Sequence, residues 1–134
     1  MAHLLATFLD IHPIAYLSGE AGVALARDPD TVRIPDLFVT RYDHLPPNYT
    51  GGIDVVPDLV IEIRSPSDRP GILGAKMRDY FTAGTTMVWV VDQPKRMVTI
   101  YTPTALPRVI TGDEPLTGDP VLPGFSCTLD ELFR

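Results

Sequence analysis

The strongest apolar pattern in the chain is Asp58-Leu59-Val60-Ile61-Glu62-Ile63-Arg64, a run of branched residues that predicts a buried strand. Further apolar runs predict strands over Val23 to Ala26 and over Thr31 to Tyr42, separated by a turn at Asp28-Pro29-Asp30. Met87 to Val91 and Met97 to Tyr101 predict a hairpin, with Asp92 to Arg96 as its turn. Ala2 to about Leu17 reads as a helix that Pro13 must kink or restart. Ser67 to Ala83 reads as a second helix, with Ser67 or Asp68 as its cap, Pro70 in its first turn and Gly84 at its end. Gly71 and Gly74 weaken its first half. Residues 43–53 are a loop broken by Pro46-Pro47 and Gly51-Gly52. From Pro103 the chain is irregular, ending in a short helical turn over Leu129 to Phe133.

Charges interrupt this apolar pattern at a few points. In the first strand Leu59, Ile61 and Ile63 face one side, and Asp58, Val60, Glu62 and Arg64 the other. A carboxylate at the centre of such a strand costs several kcal/mol unless it is paired or holds a cation. On the following helix, at about 100° per residue, Ile72, Leu73, Met77 and Tyr80 form an apolar arc, and Lys76 projects from inside it. That aims Lys76 at the sheet, from the helix directly after the Glu62 strand. Asp36 and Asp58 share a Pro-Asp-Leu context. Asp58 lies four residues before Glu62, ~13 Å along one strand, too far to share an ion with it. Asp36, on a neighbouring strand, can share one.

The other polar residues read as structural. His3, His12 and His44 lack metal-ligand spacing, and Ser65 and Ser67 suit helix capping better than nucleophilic attack. Tyr80 and Trp89 read as core. With 134 residues, 45% of them hydrophobic and 21% charged, the chain suits one compact domain. The single Cys127 excludes an internal disulfide and a cysteine-based zinc site. No apolar run spans a membrane and no secretory signal is visible, which points to the cytoplasm. The net charge of −6 repels nucleic acid at long range, so nucleic-acid binding would need a local basic patch. Arg64, Arg69, Lys76 and Arg78 are candidates for it.

Pro35-Asp36 followed by Glu62-Ile63-Arg64 resembles the PD-(D/E)XK motif of restriction-endonuclease-like nucleases. The ordered set resembles more closely the Uma-two family of putative restriction endonucleases. The segments that carry this likeness are residues 32–36, 57–67, 76–84, 88–92 and Leu122-Pro123-Gly124-Phe125. The resemblance implies an α/β restriction-endonuclease-like fold, a central mixed sheet flanked by helices. It implies a metal-dependent endonuclease, with DNA as the expected substrate, in which Asp36, Glu62 and the backbone carbonyl of Ile63 hold Mg²⁺ or Mn²⁺. Lys76 would orient water or stabilise charge on phosphate, and Arg64 would hold a phosphate or fix Glu62. Arg64 stands where the superfamily often has lysine, and Lys76 takes the place of that lysine from the next helix. The family's usual N-terminal segment is expected to be missing here. A homodimer is expected as the commonest closed symmetry. The rival class is a non-catalytic interaction protein that keeps the fold, and metal binding through Asp36 and Glu62 separates the two.

Overall fold

The structure is a computed structural model that describes residues 1–69 and 71–134. The placing of Pro70 in the first turn of a helix lies outside the described residues. A helix, α1 (Ala2–Ile11), leads into strands β1 (Ala15–Gly19), β2 (Val23–Ala26), β3 (Thr31–Arg33) and β4 (Leu37–Arg41). A short 3-10 turn over Tyr42–His44 follows, then β5 (Leu59–Ile63), α2 (Ile72–Ala83), β6 (Met87–Asp92) and β7 (Met97–Tyr101). The chain closes with β8 (Arg108–Ile110), β9 (Leu116–Thr117), β10 (Ser126–Cys127) and α3 (Leu129–Leu132).

Six strands form one mixed sheet in the order β1-β4-β5-β6-β7-β8. The β5–β6 pair is parallel and the other neighbours are antiparallel. A parallel pair needs a crossover, and α2 is that crossover. Burial follows the alternation of β5. Leu59 and Ile61 join one core cluster with Leu5, Leu9, Trp89 and the C-terminal residues Leu122 and Phe125. Val60 joins the cluster on the other face with Val88, Val90 and Tyr80 of α2. Glu62 therefore falls on the α2 face.

Several expected elements are corrected. The first helix stops at Ile11, and residues 15–19 form a strand paired with β4 instead of continuing the helix. Pro13 has no backbone donor to continue a helix, while the alternating Ala15-Tyr16-Leu17 can occupy a sheet edge. The single strand expected over 31–42 is two strands with Ile34-Pro35-Asp36 between them. Proline cannot donate to a ladder, so pairing breaks there. The second helix begins at Ile72, capped by the backbone of Gly71 at φ 88. Ser65 and Ser67 do not cap it: Ser65 N–H donates to Asp68 Oδ2 at 2.8 Å, and the two hydroxyls lie 2.8 Å apart. Ile72, assigned to the buried arc, is 45% exposed at the helix start, whereas Leu73, Met77 and Phe81 pack against the sheet. Gly84 ends the helix in the left-handed region, as glycine permits.

Candidate functional site

The register of β4 against β5 positions the first carboxylate. Leu37 faces Ile61 and Phe38 faces Val60, so one further step sets Asp36 opposite Glu62. Opposed residues of an antiparallel pair share a face. The Asp36 carboxylate is fixed by the backbone: Ile63 N–H donates to its Oδ2 at 2.7 Å. The Asp36 main chain is fixed from the other side, since Glu20 N–H donates to the carbonyls of Pro35 and Asp36, each at 3.2 Å. Gly19 allows that approach. A Cβ there would lie 3.0 Å from the Asp36 carbonyl oxygen.

Glu62 is 5% exposed. Two residues from successive turns of α2 meet its carboxylate. Tyr80 Oη donates to Oε1 at 3.0 Å, and Lys76 Nζ lies 3.6 Å from Oε2, an ion pair too long for a good hydrogen bond. The i, i+4 spacing puts both side chains on one face of the helix. Burial raises the Glu62 carboxyl above the usual range; the Lys76 ammonium and the Tyr80 hydroxyl pull it back, and the like charge of Asp36 pushes it up further. Burial and the neighbouring carboxylate also push the Tyr80 phenol up, so it remains a donor.

Asp36, Glu62, Ile63, Arg64 and Lys76 all line one pocket of about 190 Å³. Asp68 and the edge of α2 close its rim. Arg69 and Arg78 are not among its walls. Arg64 reaches the pocket, but its guanidinium lies 3.7 Å from Asp92 and is half exposed, so Asp92 is its ionic partner rather than Glu62. The two Pro-Asp-Leu segments play different parts. Asp58 sits at the opposite end of β5, where Oδ2 accepts from Arg41 N–H at 2.8 Å and Oδ1 lies 2.6 Å from His44 Nδ1. Cys127 is buried and its thiol is pushed up to about 11, which leaves no reactive thiolate there.

Sequence reasoning missed the hydrogen-bonding role of Tyr80, because an aromatic residue on an apolar helical arc reads as packing. The only signal was its position one turn after Lys76. It also missed the backbone bond that orients Asp36, which joins residues 27 apart in the chain.

The donor set suits a hard cation. It consists of the carboxylates of Asp36 and Glu62, which line one pocket, and hard divalent ions choose oxygen ligands. Among the described residues no cluster of three or more His, Cys, Asp or Glu side chains exists. Burial chiefly, and the charge of Asp36 to a lesser degree, raise Glu62, and a cation would oppose both.

A family model described as "Uma2: Putative restriction endonuclease" matches residues 1–130. Among solved structures, the chain is similar to "a putative nuclease belonging to DUF820 from Anabaena variabilis ATCC 29413". The two share 21% identity at a TM-score of 0.82, over 98% of this chain and 74% of the other. At that identity the likeness is one of fold, and it agrees with the expected mixed sheet flanked by helices. No curated protein matches the chain.

Proposed function

The chain belongs to the Uma2 family, and on that premise we propose that it is a metal-dependent endonuclease that hydrolyses phosphodiester bonds of DNA. One observation carries this reading: Asp36 and Glu62 share the wall of one pocket with Lys76, 3.6 Å from Glu62. Asp36, Glu62 and the carbonyl of Ile63 would hold Mg²⁺ or Mn²⁺. When bound, the ion would polarise the scissile phosphate and lower the pKa of a bound water.

The chain's own groups do the rest. The Ile63 N–H holds Asp36 Oδ2 and Tyr80 Oη holds Glu62 Oε1, while Glu62 Oε2 faces the Lys76 ammonium, with which a cation would have to compete. Lys76, aimed inward from α2, supplies a fixed positive charge where the phosphate gains negative charge, and it orients the attacking water. Arg64 binds phosphate. It keeps its proton at any working pH and so cannot act as base. Leu73 and the half-exposed Ile72 line the pocket beside these charges.

The decisive experiment is nicking of supercoiled DNA with Mg²⁺ or Mn²⁺, using Glu62→Ala as control. Metal-dependent nicking that disappears in Glu62→Ala is expected. A net charge of −6 favours the second reading, a non-catalytic interaction protein on the same fold; equal behaviour of parent and variant would select it. No helix among the described residues is long and apolar enough to cross a membrane, and we place the protein in the cytoplasm. We also propose a homodimer, the commonest closed symmetry, which sedimentation showing only monomer at micromolar concentration would refute.

A further inference from the structure

Three clefts meet where β5 ends. The reactive pocket shares Asp36 and Ile63 with a larger cleft of about 440 Å³ on the β1 side. It shares Arg64 and Ser65 with a third cleft of about 200 Å³ on the side of the β6–β7 turn. A strand whose phosphate sits in the middle pocket has to leave through the neighbouring clefts, and their charges differ. The β1-side cleft carries the carboxylates of Glu20 and Asp36; among the described residues its walls hold no lysine or arginine, and they include Met1 with its amino group. The turn-side cleft carries Arg64 and Lys95, with Asp92 as its single acid.

The acid in the turn-side cleft is already engaged. Asp92 is 8% exposed; its Oδ1 accepts from Lys95 N–H at 3.2 Å, and its Oδ2 faces Arg64. The first contact fixes the turn that presents Lys95 to solvent. The second is a loose pair at 3.7 Å with half-exposed arginine, weak enough to yield to a phosphate. Arg96, next along the turn, is committed elsewhere: it lies 2.8 Å from Asp130 and over the ring of Phe133. Arg64 is also correctly spaced. Its N–H donates to Val91 O at 2.9 Å, which carries the β5–β6 pairing one residue past the strand end. Arg64 thus lies two residues beyond Glu62 on the same face, ~6.6 Å along the strand. That is about the reach of one nucleotide in an extended backbone.

We propose that the DNA backbone leaves the reactive pocket over Arg64 and enters the cleft between residues 64–66 and the β6–β7 turn, where Arg64 and Lys95 hold the phosphates flanking the scissile one. This path rests on the nuclease reading of the pocket. It also answers the charge problem: a protein of net charge −6 binds a polyanion only where a local track of cations outweighs the global field. The path makes Lys95, in a solvated turn remote from the carboxylates in sequence, a binding residue.

The test uses a fluorescein-labelled DNA duplex followed by anisotropy, with Ca²⁺ in place of Mg²⁺ to keep it uncut, over a range of salt concentrations. Lys95→Gln removes one charge from an exposed side chain, and Glu20→Lys replaces a carboxylate of the opposite cleft by an ammonium, a change of two charges. The path predicts that Lys95→Gln weakens binding several-fold, equally for all sequences, and lowers the log–log salt slope by about 1. It predicts that Glu20→Lys leaves the slope unchanged. A parental slope in Lys95→Gln overturns the path, and a steeper slope in Glu20→Lys overturns it in favour of the β1 side; either leaves the nuclease reading standing if the parent still binds and nicks DNA. A parent that neither binds nor nicks DNA sinks that reading and the path with it.

Discussion

Tyr80 joins the core to the Asp36–Glu62 pocket through one side chain. Its ring is fully buried among Val60, Val88 and Val90, and its hydroxyl donates to Glu62 Oε1. Tyr80→Phe keeps the ring and removes the donor from a buried carboxylate. A hydrogen bond to a charged group contributes about 1.5–3 kcal/mol, so chemical denaturation should show a loss of that size. Metal-dependent cleavage should fall as well, by roughly tenfold, because Glu62 is no longer held in place. A variant as stable and active as the parent would make the bond incidental.

Glu62 itself predicts a pH effect. Burial raises its folded-state pKa above the ordinary 4.5. In the window between the ordinary and the raised value the folded chain binds more protons than the unfolded one, so stability falls as pH rises. The contribution is complete below the ordinary value and is lost through the folded one. Glu62→Gln does not titrate. Without metal, its Tm relative to the parent should therefore rise between pH 4 and pH 8, by roughly a few degrees. A flat difference would mean that Lys76 and Tyr80 fully offset the burial. At this scale the sequence was informative wherever a charge broke an apolar run, as with Glu62 and Lys76. It was silent where a polar atom was carried by a packing residue, as with Tyr80, or where the partner was a main-chain N–H, as with Asp36.

The elements decide where those residues meet. Asp36 is placed by β1 as much as by its own segment, since Glu20 N–H holds its carbonyl and Gly19 permits the approach. A methyl at Gly19 would lie 3.0 Å from Asp36 O and 3.1 Å from Leu37 Cδ2. The strands must then part by a few tenths of an ångström. Gly19→Ala should cost little stability, about 1 kcal/mol, yet it should weaken Mn²⁺ binding and slow cleavage by roughly tenfold. Isothermal titration with Mn²⁺ would check this, and unchanged affinity would show that the β1 contact does not position Asp36.

β1 was also the element that the sequence hid best. Residues 15–19 follow a helix without a glycine break, and their strand identity comes from pairing with β4, a tertiary cause. β8 was hidden for the opposite reason: Arg108–Ile110 is too short for a period to show, and only its pairing with β7 defines it. β5, β6 and β7 were plain because most of their branched residues are buried, on both faces, Ile63 at the end of β5 being exposed. The start of α2 was misplaced because Ser67 and Asp68 imitate a cap, while Gly71 supplies the real one from its backbone.

At the scale of the whole molecule, the site and the fold share one free energy. The Glu62 carboxylate is buried beside Asp36, and the fold carries the cost of that burial, which Lys76 and Tyr80 offset in part. A divalent ion that binds only the folded chain stabilises it by RT ln(1 + [M]/Kd), about 2.7 kcal/mol at a hundred times Kd. Thermal melts should therefore rise steadily with Mn²⁺ or Mg²⁺, by roughly 5–10 °C near saturation for a chain of this size. The variants separate the roles. Glu62→Ala removes a proposed ligand and should abolish the shift. Lys76→Met keeps the apolar stem and removes only a cation beside the pocket. It should retain the metal shift, or increase it slightly, because a positive neighbour no longer competes for Glu62 Oε2. Its cleavage should still fall by roughly a hundredfold or more, since the charge that stabilised phosphate is gone. If the parent and Glu62→Ala shift equally with Mn²⁺, the ion binds elsewhere. Asp36 and Glu62 would then be a structural pair, and the chain would keep the nuclease fold without its metal chemistry.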